Sequence, residues 1–179
     1  MKISAYIQKN DQTKLFDVTY YLDPERWRIC HEGTAQFLNE EGWSDYIKYL
    51  DENGDISADI RGITKEHGGI YIFFIQGDTL PFCEKYVAYI GRAQSTGSQS
   101  VGKRLCEYLR ESQKESSRPL IPRLFRYWKD KLYVRYFQSD DNAFIVNGES
   151  ALIKAILPPF NDDMPESIVL KEPQKAFKE

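Results

Sequence analysis

Between His67 and Gln94 the chain carries Gly69-Ile70-Tyr71 and then Tyr89-Ile90-Gly91, each at one end of an apolar, β-prone run. A hairpin core accounts for the apolar residues. It does not account for two tyrosines and two glycines placed in mirrored order. Phenols donate and accept hydrogen bonds, and a glycine lets a neighbouring group come close. The segment that follows is suited to an anionic partner. From Lys103 to Arg135 ten Lys and Arg stand against four Asp and Glu, a local balance of +6 in a protein of net charge −3. Such a stretch is either a phosphate-facing surface or a solvated, salt-bridged face, and charge alone leaves both open.

The elements that must position these residues read in the order strand, strand, helix, strand, helix. "GIYIFFI" and "KYVAYIG" are strands joined by the turn "QGDTLPF", with "RAQSTGSQS" as the next loop. Val101, Leu105, Tyr108 and Leu109 recur at helical spacing after Ser100, an available cap. "KLYVRYF" alternates as a strand, and "NGESALIKAIL" is a helix stopped by Pro158-Pro159. The sum is a small antiparallel sheet with helices on its faces, of the α+β type.

Before this core lies an acidic extension, residues 1–66, with eight positive and thirteen negative charges. It predicts a hairpin within residues 1–22, a helix capped at Asp23 with Pro24 in its first turn and Trp27, Cys30, Thr34, Phe37 and Leu38 along it, and a short helix between Ser44 and Gly54. A turn-rich connection follows, and a soft boundary falls near Lys65. The predicted domains are therefore 1–66, 67–165 and a tail of 166–179.

The paired "GIY" and "YIG" resemble the signature of the GIY-YIG nuclease superfamily. The likeness runs from Gly69 to Asn161 and has four blocks in order. "VGKRLCEYL" is similar to the helix that carries the family's arginine, and "ESALIKAILPPFN" to its closing block. The resemblance implies a three-stranded sheet flanked by helices and an endonuclease that hydrolyses DNA phosphodiesters in a restriction, defence or repair role, leaving 5′-phosphate and 3′-hydroxyl ends. It also implies a Mg²⁺ cofactor, with Mn²⁺ as a substitute.

Carried onto this chain, the family pattern makes Tyr71 the general base, although a phenol ionises near ~10 and needs neighbouring positive charge to do so at neutral pH. Tyr89 sits across the hairpin and binds the phosphate or shares the water. Arg104 is the bidentate phosphate clamp, and Tyr108, one turn later, is either a helper or a core aromatic. Glu149 is the metal ligand, one carboxylate being enough for a Mg²⁺ that keeps its waters and takes phosphate oxygens. Asn161 orients the closing loop. Gly91, Arg92, Lys103, Arg110, Arg123, Arg126 and Lys129 are the nucleic-acid contacts. Tyr71, Tyr89, Arg104 and Glu149 are expected to line one concave face, with Glu149 partly open.

Several features bound this picture. The Tyr71–Tyr89 interval and the loop from Arg92 to Val101 are longer than in compact family members, as in the restriction-enzyme branch. "DENGDISADIRG" has the alternating acids of a calcium loop but lacks its glycine and closing glutamate, so it reads as a capped turn. Cys30, Cys83 and Cys106 are scattered, with no Cys-x-x-Cys pair, which predicts free thiols in a reducing cytoplasm. His31 and His67 have no catalytic partner at a defined spacing. The apolar runs are too short to cross a bilayer and the N-terminus has no secretory pattern. DNA is the predicted partner, with RNA left open. Residues 1–66 are free to pack on the core, pair two copies or dock another protein. The rival in another class is a catalytically silent nucleic-acid-binding or interaction module on the same fold.

Overall fold

The computed structural model describes residues 24–77, 85–113 and 120–161. The hairpin expected in residues 1–22, the Asp23 cap, most of the turn after Gln76, Cys83 and the 166–179 tail lie outside them.

The centre is the strand β2, Gly68–Gln76, whose run of Ile, Tyr and Phe suits a strand covered on both faces. It pairs antiparallel with β3, Lys85–Ala93, on one side and with β4, Leu132–Ser139, on the other. A two-residue β1, Ile47–Lys48, adds to the far edge of β4, so the order is β1-β4-β2-β3 and every pairing is antiparallel. The fold is thus α+β with four strands. The helix expected between Ser44 and Gly54 is instead this short strand and a tight turn. Asp51 Oδ1 accepts from the backbone N–H groups of Asn53 and Asp55, which is the capped turn expected of "DENGD".

Side-chain alternation sorts β2 into two cores. Tyr71, Phe73 and Ile75 join Tyr89, Leu105, Tyr108, Leu124 and Phe125 on one face; Ile70, Ile72 and Phe74 join Ile90, Ile145, Leu152 and Ile153 on the other. The first face is covered by α3, Val101–Ser112, capped by Ser100, and by α4, Leu120–Trp128. The sequence stretch that forms α4 had been legible only as a basic segment. Its Ile121, Leu124 and Phe125 make the inward stripe, and Pro122 is tolerated in the first turn. The second face is covered by α5, Asn142–Ile156, whose Asp141 side chain accepts from Ala143 N and Phe144 N. It ends where Leu157 takes a left-handed φ of 51° ahead of the two prolines.

Across the boundary predicted near Lys65, the described part of the extension packs on the core. Within residues 24–66, α1 (Pro24–Thr34) packs on α5, and Phe37 enters the second core. A four-residue helix α2, Ala58–Arg61, sends Ile60 into the first core beside Tyr49 and Ile63. Tyr49 is fully buried and donates from its hydroxyl to the Leu105 carbonyl at 2.6 Å, tying this segment to α3. Packing on the core is therefore one role the described part of the extension has. No helix among the described residues is long and apolar enough to cross a membrane.

Candidate active site

The register of the hairpin explains the mirrored tripeptides. Tyr71 of β2 lies directly opposite Gly91 of β3. A Cβ added to Gly91 would come within 2.7 Å of the Tyr71 ring and hydroxyl. The phenol lies across the glycine and reaches the next residue, its hydroxyl 3.3 Å from the Arg92 carbonyl. The glycine of the second motif therefore makes room for the tyrosine of the first. Gly69, at φ 152° with the Phe137 carbonyl 2.1 Å from where a Cβ would stand, is needed for its backbone shape as well as its size.

Above this pair, α3 delivers Tyr108 and Arg104. The Tyr71 and Tyr108 hydroxyls are 2.8 Å apart, and Tyr108 donates onward to the Tyr89 hydroxyl at 3.2 Å. Three phenols from three elements thus form one buried hydrogen-bonded chain. Tyr108 is at its middle, so it is a core aromatic and part of the hydroxyl chain at once. The Arg104 guanidinium lies 4.4 Å from the Tyr108 ring centre. Burial pushes the Tyr71 and Tyr108 hydroxyls well above the ordinary phenol range. At Tyr71 the neighbouring Tyr89 adds to the rise, while Arg104 and the Tyr108 hydrogen bond act against it. Arg104 thus works in the direction expected, but burial outweighs it. For Arg104 burial opposes the charge, and hydrogen bonds to Glu111 and Glu107 together with the phenols hold its proton above the ordinary arginine range.

Glu149 is elsewhere. The expectation of one concave face holding Tyr71, Tyr89, Arg104 and Glu149 is corrected: Glu149 belongs to α5, and α5 covers the opposite face of the sheet. Its carboxylate forms an ion pair with the Arg92 guanidinium. Arg92 is paired with Ile70 and so projects on the α5 side, whereas Tyr71 and Gly91 belong to the α3 side. The two groups meet only at β3, the strand at one end of the sheet: the Tyr71 hydroxyl touches the Arg92 main chain, and Glu149 holds its side chain.

Asn161 acts on the same strand. Its side-chain oxygen accepts from Ile90 N at 2.9 Å and its NH₂ donates to the Ile90 carbonyl at 2.8 Å. With Phe160 N bonded to the Ala88 carbonyl, the closing segment is pinned along β3 beside Gly91. Among the expected nucleic-acid contacts, Lys103 donates from Nζ to the Gly97 carbonyl and braces the loop before α3. Arg110 and Arg126 are exposed and Arg123 half-buried on α3 and α4, with Lys129 exposed in the turn that follows α4.

Two sets of residues were missed from sequence. Glu107 and Glu111 hold Arg104, although i,i+3 and i,i+7 acids on an arginine-bearing helix face were there to be read. His67, with no expected partner, has Nδ1 2.9 Å from an Asp140 oxygen, and Asp140 also accepts from Ser95 Oγ at 2.8 Å. Asp140 lies between the other two, so this is a clasp joining the ends of β2 and β4 to the loop after β3, not a nucleophile–base relay. Cys30 and Cys106 are free thiols.

No group of three or more His, Cys, Asp or Glu placed to hold a metal ion occurs among the described residues. Glu149, the carboxylate expected to hold a magnesium, would share its shell with water and substrate oxygens, and only once Arg92 yields that carboxylate. No family model, curated protein or solved structure matches the chain. The geometry of β2, β3 and α3 is what remains to speak for function.

Proposed function

We propose that the chain is a metal-dependent endonuclease hydrolysing DNA phosphodiester bonds, of the GIY-YIG type, with its site built around β3. The observation that supports this best is the direct pairing of Tyr71 with Gly91 beneath a phenol chain whose middle member, Tyr108, lies against Arg104. Packing alone needs no hydroxyls there, and three phenylalanines would fill the same space without three polar groups to satisfy. Arg104 takes the scissile phosphate with its planar fork and offsets charge as it builds on the phosphoryl oxygens. Tyr71 first loses its own proton to solvent, against the rise that burial imposes, and as the phenolate accepts a proton from the attacking water. Arg104 and a Tyr108 hydroxyl turned from Tyr89 towards Tyr71 hold that anion. Tyr108 and Tyr89 keep the Tyr71 hydroxyl oriented, and Asn161 fixes β3. A magnesium at Glu149, when bound, would supply Lewis-acid stabilisation of the leaving 3′-oxygen.

A plasmid-nicking assay with Mg²⁺, with Mn²⁺ and with chelator tests this. Nicked circles that disappear on chelation are expected; plasmid left intact across several divalent metals would sink it. One observation favours the second reading, a silent nucleic-acid-binding or interaction module: Arg104 is engaged by two carboxylates and Glu149 by a guanidinium. Under that reading DNA is bound but never cut. A homodimer that pairs two sites, one per strand, is part of the nuclease proposal, and light scattering reads it directly.

A further inference from the structure

The fork of Arg104 carries a carboxylate where a phosphate would go. Nη1 is 2.5 Å from Glu111 Oε1 and Nη2 is 3.1 Å from Glu111 Oε2. Two parallel N–H···O bonds to two oxygens on one atom is also how a guanidinium grips a phosphodiester. Glu107 Oε2 adds a single bond to Nη1 at 3.0 Å. The arginine side chain is only 16% exposed, whereas the Glu111 side chain is 36% exposed near the C-terminal end of α3. The arginine is therefore the fixed partner and the glutamate the movable one. On its other side the guanidinium rests on the Tyr108 ring, which sets its distance from the phenol chain but leaves the direction of the fork to its acceptors.

We propose that Glu111 is a positioning residue that stands in for the substrate phosphate on Arg104, aiming the fork in the free protein and leaving it when a backbone phosphate arrives. The proposal rests on Arg104 being the phosphate clamp. A phosphate that offers both oxygens in the plane of the fork displaces Glu111; one that offers a single contact does not. Binding is weaker than the fork alone would allow, and phosphate geometry is selected in return.

The test is a double-mutant cycle on the full-length chain, read by fluorescence anisotropy with a labelled DNA duplex in chelator, where nothing is cut. Glu111→Gln is expected to tighten binding about threefold to tenfold, the range of a partly exposed, charge-assisted pair. In an Arg104→Ala background the same change should alter affinity less than twofold. Arg104→Lys, which keeps charge without the fork, should abolish the coupling in the same way and guards against a folding defect in the alanine variant. No tightening by Glu111→Gln overturns the proposal. Equal tightening with and without Arg104 overturns it too, because general charge repulsion would then explain the effect, yet it spares the clamp. Wild-type affinity in Arg104→Ala removes the clamp and this proposal together.

Discussion

The two faces of the sheet are built from the same strand and differ in kind. Facing α5, β2 presents Ile70, Ile72 and Phe74, and the core there is aliphatic and aromatic; the Arg92–Glu149 ion pair joins β3, at the end of the sheet, to α5. Facing α3, the alternate residues of β2 sit among three hydrogen-bonded phenols and a half-buried arginine held by two acids. An apolar face needs only burial to be stable. A polar one must satisfy each hydroxyl and charge, and that demand fixes rotamers and identities more tightly than packing does. Both faces hold the fold, and the α3 face adds to its apolar core a phenol–arginine arrangement that packing alone does not require.

The largest effects should come from the charged groups that flank β3, one on each side of the sheet. Arg104→Ala is expected to cost about a hundredfold to a thousandfold in cleavage and to weaken DNA binding, since one charge-stabilising donor is commonly worth that much. Glu149→Ala should abolish cleavage while leaving DNA affinity equal or higher, because a carboxylate that repels phosphate is gone. Single-turnover cleavage and anisotropy on the same samples check both. Equal activity of wild type and Glu149→Ala would point to a contaminating nuclease.

On the apolar face the change should be in stability. Ile145 is fully buried against β2, and Ile145→Ala should lose about 2–5 kcal/mol by transfer and cavity terms, with activity per folded molecule unchanged. Urea unfolding followed by far-UV circular dichroism reads the first, and cleavage well below the midpoint the second. A selective loss of activity at full stability would erase the division between the faces.

How much of this could be read in advance depends on whether the signal was local. Ser100 before Val101 and the prolines after Leu157 marked helix ends, because caps and breakers act within a turn. The pairing of Tyr71 with Gly91 was implicit in the mirrored motifs, but its steric meaning needed the register. The short strand at Ile47–Lys48 was unreadable, because it exists only through β4, more than 80 residues away. The placement of Glu149 failed for a related reason. Sequence order says that α5 follows β4, but not which face of the sheet it crosses, and a motif fixes residue types without fixing sides. Glu107 and Glu111 were passed over because acids on a basic helix look like solvation until an arginine is found inside their reach.

Alkaline pH sharpens the contrast, since the buried phenols of the α3 face hold their protons above the ordinary phenol range. The hydroxyls of Tyr71 and Tyr108 are raised by burial above their unfolded value near ~10. A group whose folded pKa is raised gives stability that is complete below the unfolded pKa and is lost as pH rises through the folded one. Stability should thus be flat from neutrality to about pH 10 and then fall as the unfolded chain releases protons that the folded chain retains. Tyr71→Phe should lower stability at pH 7 yet soften the alkaline decline, as followed by chemical denaturation at a series of pH values. An unchanged decline in Tyr71→Phe would mean that Tyr71 does not set it.

The smallest effect concerns which layer meets DNA. Arg110 and Arg126 are exposed on the α3–α4 layer and Lys129 in the turn that follows α4, whereas Lys154 belongs to α5 on the far side. Each phosphate contact releases counterions and adds about −0.9 to the slope of log affinity against log salt. If the phenol face is the one that meets DNA, Arg126→Gln should make that slope shallower by about one unit, while Lys154→Gln leaves it as it was. Both variants change net charge equally, so the comparison isolates position from charge. The two variants have only to be measured from about 50 to 200 mM salt, where a protein making several phosphate contacts loses affinity steeply. A matching change in both slopes would mean that DNA is drawn by the overall field and not by this layer. A change in Lys154→Gln alone would turn the molecule over and make α5, with Glu149, the side that faces the duplex.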